Sequence, residues 1–127
     1  MPGKHLYEYA VIRLLPLVER EEFLNVGLIL FCKREKFIKV LFDLNEKKLL
    51  NFHSELDLEQ VRENLEAFKK IAEGDKNCGP IAAMDLAERF RWLTAVKSSS
   101  IQTSRPHPGL SENLENTIKR LFEELVL

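Results

Sequence analysis

Three apolar segments with strand-like patterning follow one another at the start of the chain, separated by connections too short to hold a crossover. Residues 6–15, LYEYAVIRLL, mix aromatic, β-branched and alternating polar positions, and Pro16 ends the run. Residues 17–22, LVEREE, form a charged connection. Residues 23–33, FLNVGLILFCK, present one fully apolar face of Leu24, Val26, Leu28, Leu30 and Cys32. The other face is mixed, with Phe23, Asn25, Gly27, Ile29 and Phe31. Lys33 to Lys36 reads as a tight charged turn, and residues 37–43, FIKVLFD, as a third strand. Parallel neighbours need a crossover of a dozen or more residues, so these strands are expected to pair as an antiparallel meander.

Beyond Asp43 the period changes. Asn45 to Asp57 is polar and reads as irregular. Asp57 with Gln60 resembles a capping box, and Leu58, Val61, Leu65, Phe68 and Ala72 then recur at helical spacing before Gly74. Gly79-Pro80 is expected to open a second helix with Ala83, Leu86, Ala87, Phe90 and Leu93 facing inward. Residues 97–105, KSSSIQTSR, read as a short fourth strand, and Pro106 to Gly109 as a rigid turn. Ser111 is the expected cap of a last helix whose buried stripe is Leu114, Ile118, Leu121, Phe122 and Leu125. The reading is an α+β fold over residues 1–127 as a single domain. A three-strand antiparallel meander plus a fourth short strand carries three helices packed mainly on one face, in the order β-β-β-α-α-β-α. The opposite face, with Tyr7, Tyr9, Val11, Phe23, Ile29 and Phe31, is itself apolar. If left uncovered it would call for a partner, such as a second copy in a homodimer.

Bulk properties exclude more than they select. The 127 residues carry 19 basic against 20 acidic side chains, a net charge of −1. A strong global attraction to nucleic acid or to a membrane surface is therefore absent. The longest apolar run, Val26 to Phe31, is six residues, against the roughly 20 that a spanning helix needs. The start, MPGKHLYEY, has no apolar h-region, so no signal peptide is expected. Cys32 and Cys78 are far apart and in no CxxC, which fits reduced thiols and a cytoplasmic location.

No phosphate-binding loop, dinucleotide fingerprint or nucleophile elbow occurs, and no cofactor is expected. His5, His53 and His107 have no metal-ligand spacing, so no metal site is expected. The run His53-Ser54-Glu55-Leu56-Asp57 is better explained by a solvated turn and a helix cap than by a cation site. Glu19-Arg20-Glu21-Glu22 is better explained by a wet loop than by paired acid–base carboxylates.

The most informative stretch lies between Glu88 and Glu112, which holds no acid. It holds Arg89, Arg91, Lys97 and Arg105, with Trp92, His107 and several small hydroxyls including Ser99. Guanidinium and hydroxyl groups together suit phosphate or carboxylate recognition. Arg89 and Trp92 are three apart and share a helix face opposite Leu86, Phe90 and Leu93. An exposed Trp beside Arg is a common anchor for a protein or a base. Arg13 and Asn25 form a smaller candidate on the less apolar sheet face, where a charge needs an acceptor or water.

Two blocks, YEYAVIRLLPLVEREEFLNVGLILFC and GPIAAMDLAERFRWLTAVKSSSIQTSRPHPGL, closely resemble the two signature regions of the bacterial domain-of-unknown-function 3037 family. The resemblance runs from Tyr7 to the final helix. Family sequences tend to carry Val-His-Thr-Gly where this chain has Arg105 to Gly109, so no role for His107 carries over. The family supplies no activity, cofactor or catalytic residue. The resemblance implies an accessory role beside a partner protein, a HipA-like kinase, since family members are often encoded next to such kinases.

The preferred expectation is an interaction module that binds a protein partner and self-associates. A nucleic-acid or phosphate-ligand binding domain using Arg13, Arg89, Arg91, Lys97 and Arg105 remains an alternative. So does an enzyme of unrecognised type with Glu21, Glu22 or His107 as acid or base.

Overall fold

The computed structural model describes residues 3–75, 77, 79–95 and 99–127. Cys78 and Lys97 lie outside them. Strand β1 (His5–Leu14) is the centre of a five-stranded antiparallel sheet. It pairs on one side with β2 (Leu24–Cys32), which pairs in turn with β3 (Phe37–Phe42). This is the meander that the short connections require. On its other side β1 pairs with two short strands in succession, β4 (Ile101–Thr103) and β5 (His107–Ser111). The two blocks that carry the resemblance therefore adjoin along β1.

The fourth strand thus differs from expectation, because the segment read as a turn after it, Pro106 to Gly109, is mostly strand β5. Ser104 makes the join. It lies between β4 and β5, opposite Val11, and is buried. Its amide donates to the Val11 carbonyl at 2.8 Å, and its hydroxyl accepts from the Val11 amide at 2.9 Å. The ladder is kept continuous through a side chain. Pro108 withholds a backbone donor from β5, which suits an edge strand. Gly109 is needed because the Tyr7 ring lies directly over it, where a Cβ would have to sit.

Among the described residues four α-helices cover the sheet: α1 (Glu46–Phe52), α2 (Leu58–Glu73), α3 (Leu86–Leu93) and α4 (Leu114–Leu125). Helix α1 occupies the segment expected to be irregular. Asn45 caps it by accepting from the Lys48 amide, and of its side chains Leu49 alone is buried. One buried residue in seven leaves no visible period. The Asp57 cap of α2 stands as expected, accepting from the Gln60 amide, and Gly74 ends the helix at φ 78°. Helix α3 does not begin at Gly79-Pro80. Pro80 opens only a 3-10 turn over Ile81–Ala83, Met84 is extended, and Asp85 starts α3 by accepting from the Glu88 amide at 2.8 Å. Asp85 and Glu88 have the spacing of a capping box. The cap of α4 is Asn113, not Ser111: Asn113 accepts from the Asn116 amide, while the Ser111 hydroxyl accepts from the Asn113 amide and pairs with Thr117. The buried stripe of α4 is as expected.

The sheet has a core on each face. Helices α1, α2 and α3 cover the face of Ala10, Ile12, Leu14, Ile29, Phe31 and Val40. Helix α4 covers the other, with Tyr7, Val11, Leu28, Leu30 and Cys32. The face whose exposure would have called for a second copy is not one surface: Tyr7, Tyr9 and Val11 lie under α4, Ile29 and Phe31 lie under the three helices, and Phe23 is 44% exposed. A bulge in β2 also regroups its side chains. Ile12 pairs with Gly27 but Arg13 with Asn25, so Val26 is the extra residue. One added residue reverses the alternation. Leu24 and Val26 therefore join Ile29 and Phe31 under the three helices, while Leu28, Leu30 and Cys32 face α4. The single apolar face read from Leu24 to Cys32 is split in two.

Candidate functional site

On the three-helix side, the sheet is longer than its cover. Helix α3 packs through Phe90, which stacks on Phe31 with ring centroids 5.0 Å apart. Beyond that contact, towards the β2–β3 turn and the start of β1, the sheet is open. A cleft of about 550 Å³ lies there, lined by Phe31, the turn residues Lys33 and Lys36, and Asp85, Leu86, Ala87 and Arg89 of the α3 start. A second hollow of about 210 Å³ shares Phe31, Lys33 and Ala87 with it and adds Leu6, Tyr7, Glu8 and Arg91. The shared residues make the two a continuous groove. Next to Leu6 in the sheet register stands Leu110 of β5, and both are 63% exposed. The exposed apolar cross-strand pair thus adjoins hollows whose apolar lining is the buried Phe31 with the half-buried Leu86 and Ala87.

The charges around the groove are unevenly committed. Arg91 forks onto Glu8, with Nη1 donating to Oε2 at 3.0 Å and Nη2 to Oε1 at 3.3 Å. Asp85 is held as the cap of α3. Arg89 is half-buried and donates to two carbonyls, through Nη1 to Met84 at 2.6 Å and through Nε to Ala72 at 3.3 Å. Its guanidinium lies against Gly74. A cation on the last carbonyls of α2 suits the negative end of that helix. Lys33 and Lys36 are exposed, and no ion pair to either is found among the described residues. The acid within their own turn, Glu35, is turned to His5 Nε2 at 3.0 Å.

Of the residues singled out in the sequence, Arg89 and Arg91 reach this groove. Trp92 is 41% exposed on α3 and lines neither hollow, because it is one residue round the helix from the Ala87–Arg91 side. Arg13 and Asn25 are register partners on the α4 side. The Arg13 guanidinium carbon stands 4.1 Å over the Phe23 ring, and Asn25 donates Nδ2 to the Leu125 carbonyl at 3.0 Å. Arg13 Nε and Asn25 Oδ1 are buried with no hydrogen-bond partner among the described residues. Arg13 and the Arg89–Arg91 pair are therefore on opposite faces of the sheet. Arg105 is exposed between β4 and β5, and Ser99 is exposed with its hydroxyl donating to the Ile101 carbonyl. His107 packs beside Tyr9, with ring centroids 5.4 Å apart.

Two motifs read separately in the sequence do meet elsewhere. His53 and the β1–β2 connection enclose about 160 Å³ with Pro16, Leu17, Arg20, Glu22 and Phe52. Arg20 and Glu22 pair with each other at 2.6 Å. His107 is not part of that lining, so Glu22 and His107 do not form one acid–base pair.

A family model described as a protein of unknown function (DUF3037) matches residues 9–126, nearly the whole chain. The chain belongs to the DUF3037 family. No curated protein and no solved structure matches it. In this DUF3037 chain the groove residues that sequence reasoning passed over are Leu6, Lys33, Lys36 and Leu110. Lys33 and Lys36 look like ordinary turn charges, and Leu6 and Leu110 are 104 positions apart in a sequence whose β5 was read as a turn. No helix among the described residues is long and apolar enough to cross a membrane.

Proposed function

We propose that this DUF3037 chain is an accessory interaction module that holds a protein partner against the groove between α3 and the open end of the sheet. The observation that carries the reading is the pair Leu6 and Leu110, each 63% exposed, continuous through Leu6 with the groove floor at Phe31 and Ala87. Single exposed leucines are ordinary, but a cross-strand pair joined to a groove of this size is the form of a contact surface. The groove is open, and its polar groups are either tied into the fold or cationic, with no nucleophile placed beside a base. That arrangement favours binding over chemistry.

The resemblance makes a HipA-like kinase the first partner to test. Co-expression of the two should give a complex of fixed stoichiometry. Both leucines are exposed, so Leu6→Thr with Leu110→Thr, which keeps good strand formers and adds no like charges across the pair, should leave the fold intact. The same double variant should weaken the complex by about 2 kcal/mol or more, the scale of an interface anchor. A complex of unchanged affinity would show that the partner sits elsewhere. Absence of any complex with such a kinase would remove that partner.

A further inference from the structure

We infer that the occupant of this groove is an acidic segment of the partner, with carboxylates spaced between apolar side chains. The inference rests on the interaction reading above and adds the chemistry of what binds. Four cations line the two hollows, Lys33, Lys36, Arg89 and Arg91, against two carboxylates, Glu8 and Asp85. One carboxylate is spent on Arg91, and the other is fixed at the α3 amides. Arg89 is bonded to neutral carbonyls, so its charge remains uncompensated by a carboxylate. The groove thus has an excess of two positive charges in a chain whose net charge is −1. The cations stand over an apolar floor of Phe31, Leu86 and Ala87. An occupant matching both features alternates apolar groups with carboxylates.

Lys36 adds a second, independent observation. Its backbone is left-handed, with φ 51°, in a four-residue turn where glycine or asparagine would be free of strain. Turn chemistry alone gives no reason for a lysine there. Strained non-glycine positions gather at binding sites, where the side chain is needed more than the local comfort of the backbone. The lysine at this position borders the cleft.

The test uses the intact chain and short fluorescent peptides read by anisotropy: alternating leucine and glutamate, alternating leucine and lysine, and alternating serine and glutamate. The leucine–glutamate peptide should bind, and less tightly as salt rises, because the lysines are exposed. The other two should be weaker by about tenfold or more. Lys33→Glu with Lys36→Glu should reverse the charge preference. Lys36→Gly should keep or raise Tm while weakening the leucine–glutamate peptide, a split that a purely structural lysine would not give. Equal binding of all peptides, no binding of any, or stronger binding of single-stranded DNA than of the acidic peptide would each overturn the inference. In the complex with the partner, the two readings separate. Loss of affinity with the leucine variants but not with the lysine variants leaves the interaction module standing and removes the acidic occupant. Insensitivity to both sets removes both.

Discussion

Phe90→Ala is expected to destabilise the chain by about 3–5 kcal/mol, the range for emptying a buried aromatic site. Phe90 is fully buried and is the side chain through which α3 stacks on Phe31 of β2. The lost ring removes both its transfer free energy and the dispersion contacts of Phe31. The rest of α3 has little with which to compensate. It is eight residues long, and its other fully inward side chain is Leu93. Urea unfolding followed by far-UV circular dichroism would measure the change. A loss below about 1 kcal/mol would mean that the site collapses freely and that α3 is not anchored through this ring. Because Phe31 is also the floor of the groove, the same variant should lose partner binding by loosening the wall that α3 provides. That distinguishes it from the surface leucines, which act on binding alone.

Gly27→Ala is expected to cost about 3 kcal/mol, at the upper end of overpacking effects. A Cβ built on Gly27 would stand 2.8 Å from the Leu41 carbonyl oxygen, 3.1 Å from Phe42 Cβ and 3.2 Å from Ile12 Cδ1. The nearest atom belongs to the backbone of β3 and cannot move without disturbing the ladder between β2 and β3. Gly27 also sits at the bulge that turns Leu24 and Val26 towards the three helices. The added methyl therefore presses on the one place where the sheet changes which residues face which core. The midpoint in urea should fall while the slope stays constant, since the surface exposed on unfolding is unchanged. A neutral result would mean that the strands separate more easily than the contacts imply.

The meander and the last helix were legible because each rests on a local signal. Short charged connections force antiparallel neighbours, and the stripe from Leu114 to Leu125 spans three turns of helix. Other elements depended on contacts that no local pattern encodes. Helix α1 has Leu49 as its one buried side chain, too little for a period. Strand β5 contains Pro108 and Gly109, which read as a turn; they are tolerated because the strand is at an edge and because Tyr7 covers the glycine. The bulge at Val26 is invisible in an uninterrupted apolar run, where either parity looks equally buried. The site was legible in part for the same reason. Arg89 and Arg91 stood out as basic residues in an acid-free stretch. Whether each was free or bound followed from partners far away in sequence: Ala72 and Met84 for one, Glu8 for the other. Leu6 and Leu110 could not be joined before β5 was known to be a strand.

The central claim is that the groove between α3, the start of β1 and the β2–β3 turn is the surface on which a partner sits. Hydrogen–deuterium exchange of the chain, free and in its complex, tests this most directly. The account predicts slower exchange on binding in residues 6–8, 31–36, 85–91 and 108–110, with α4 and the Arg13–Asn25 region unchanged. Protection confined to α4, Phe23 and the Arg13 face, with the groove exchanging as in the free chain, would contradict it.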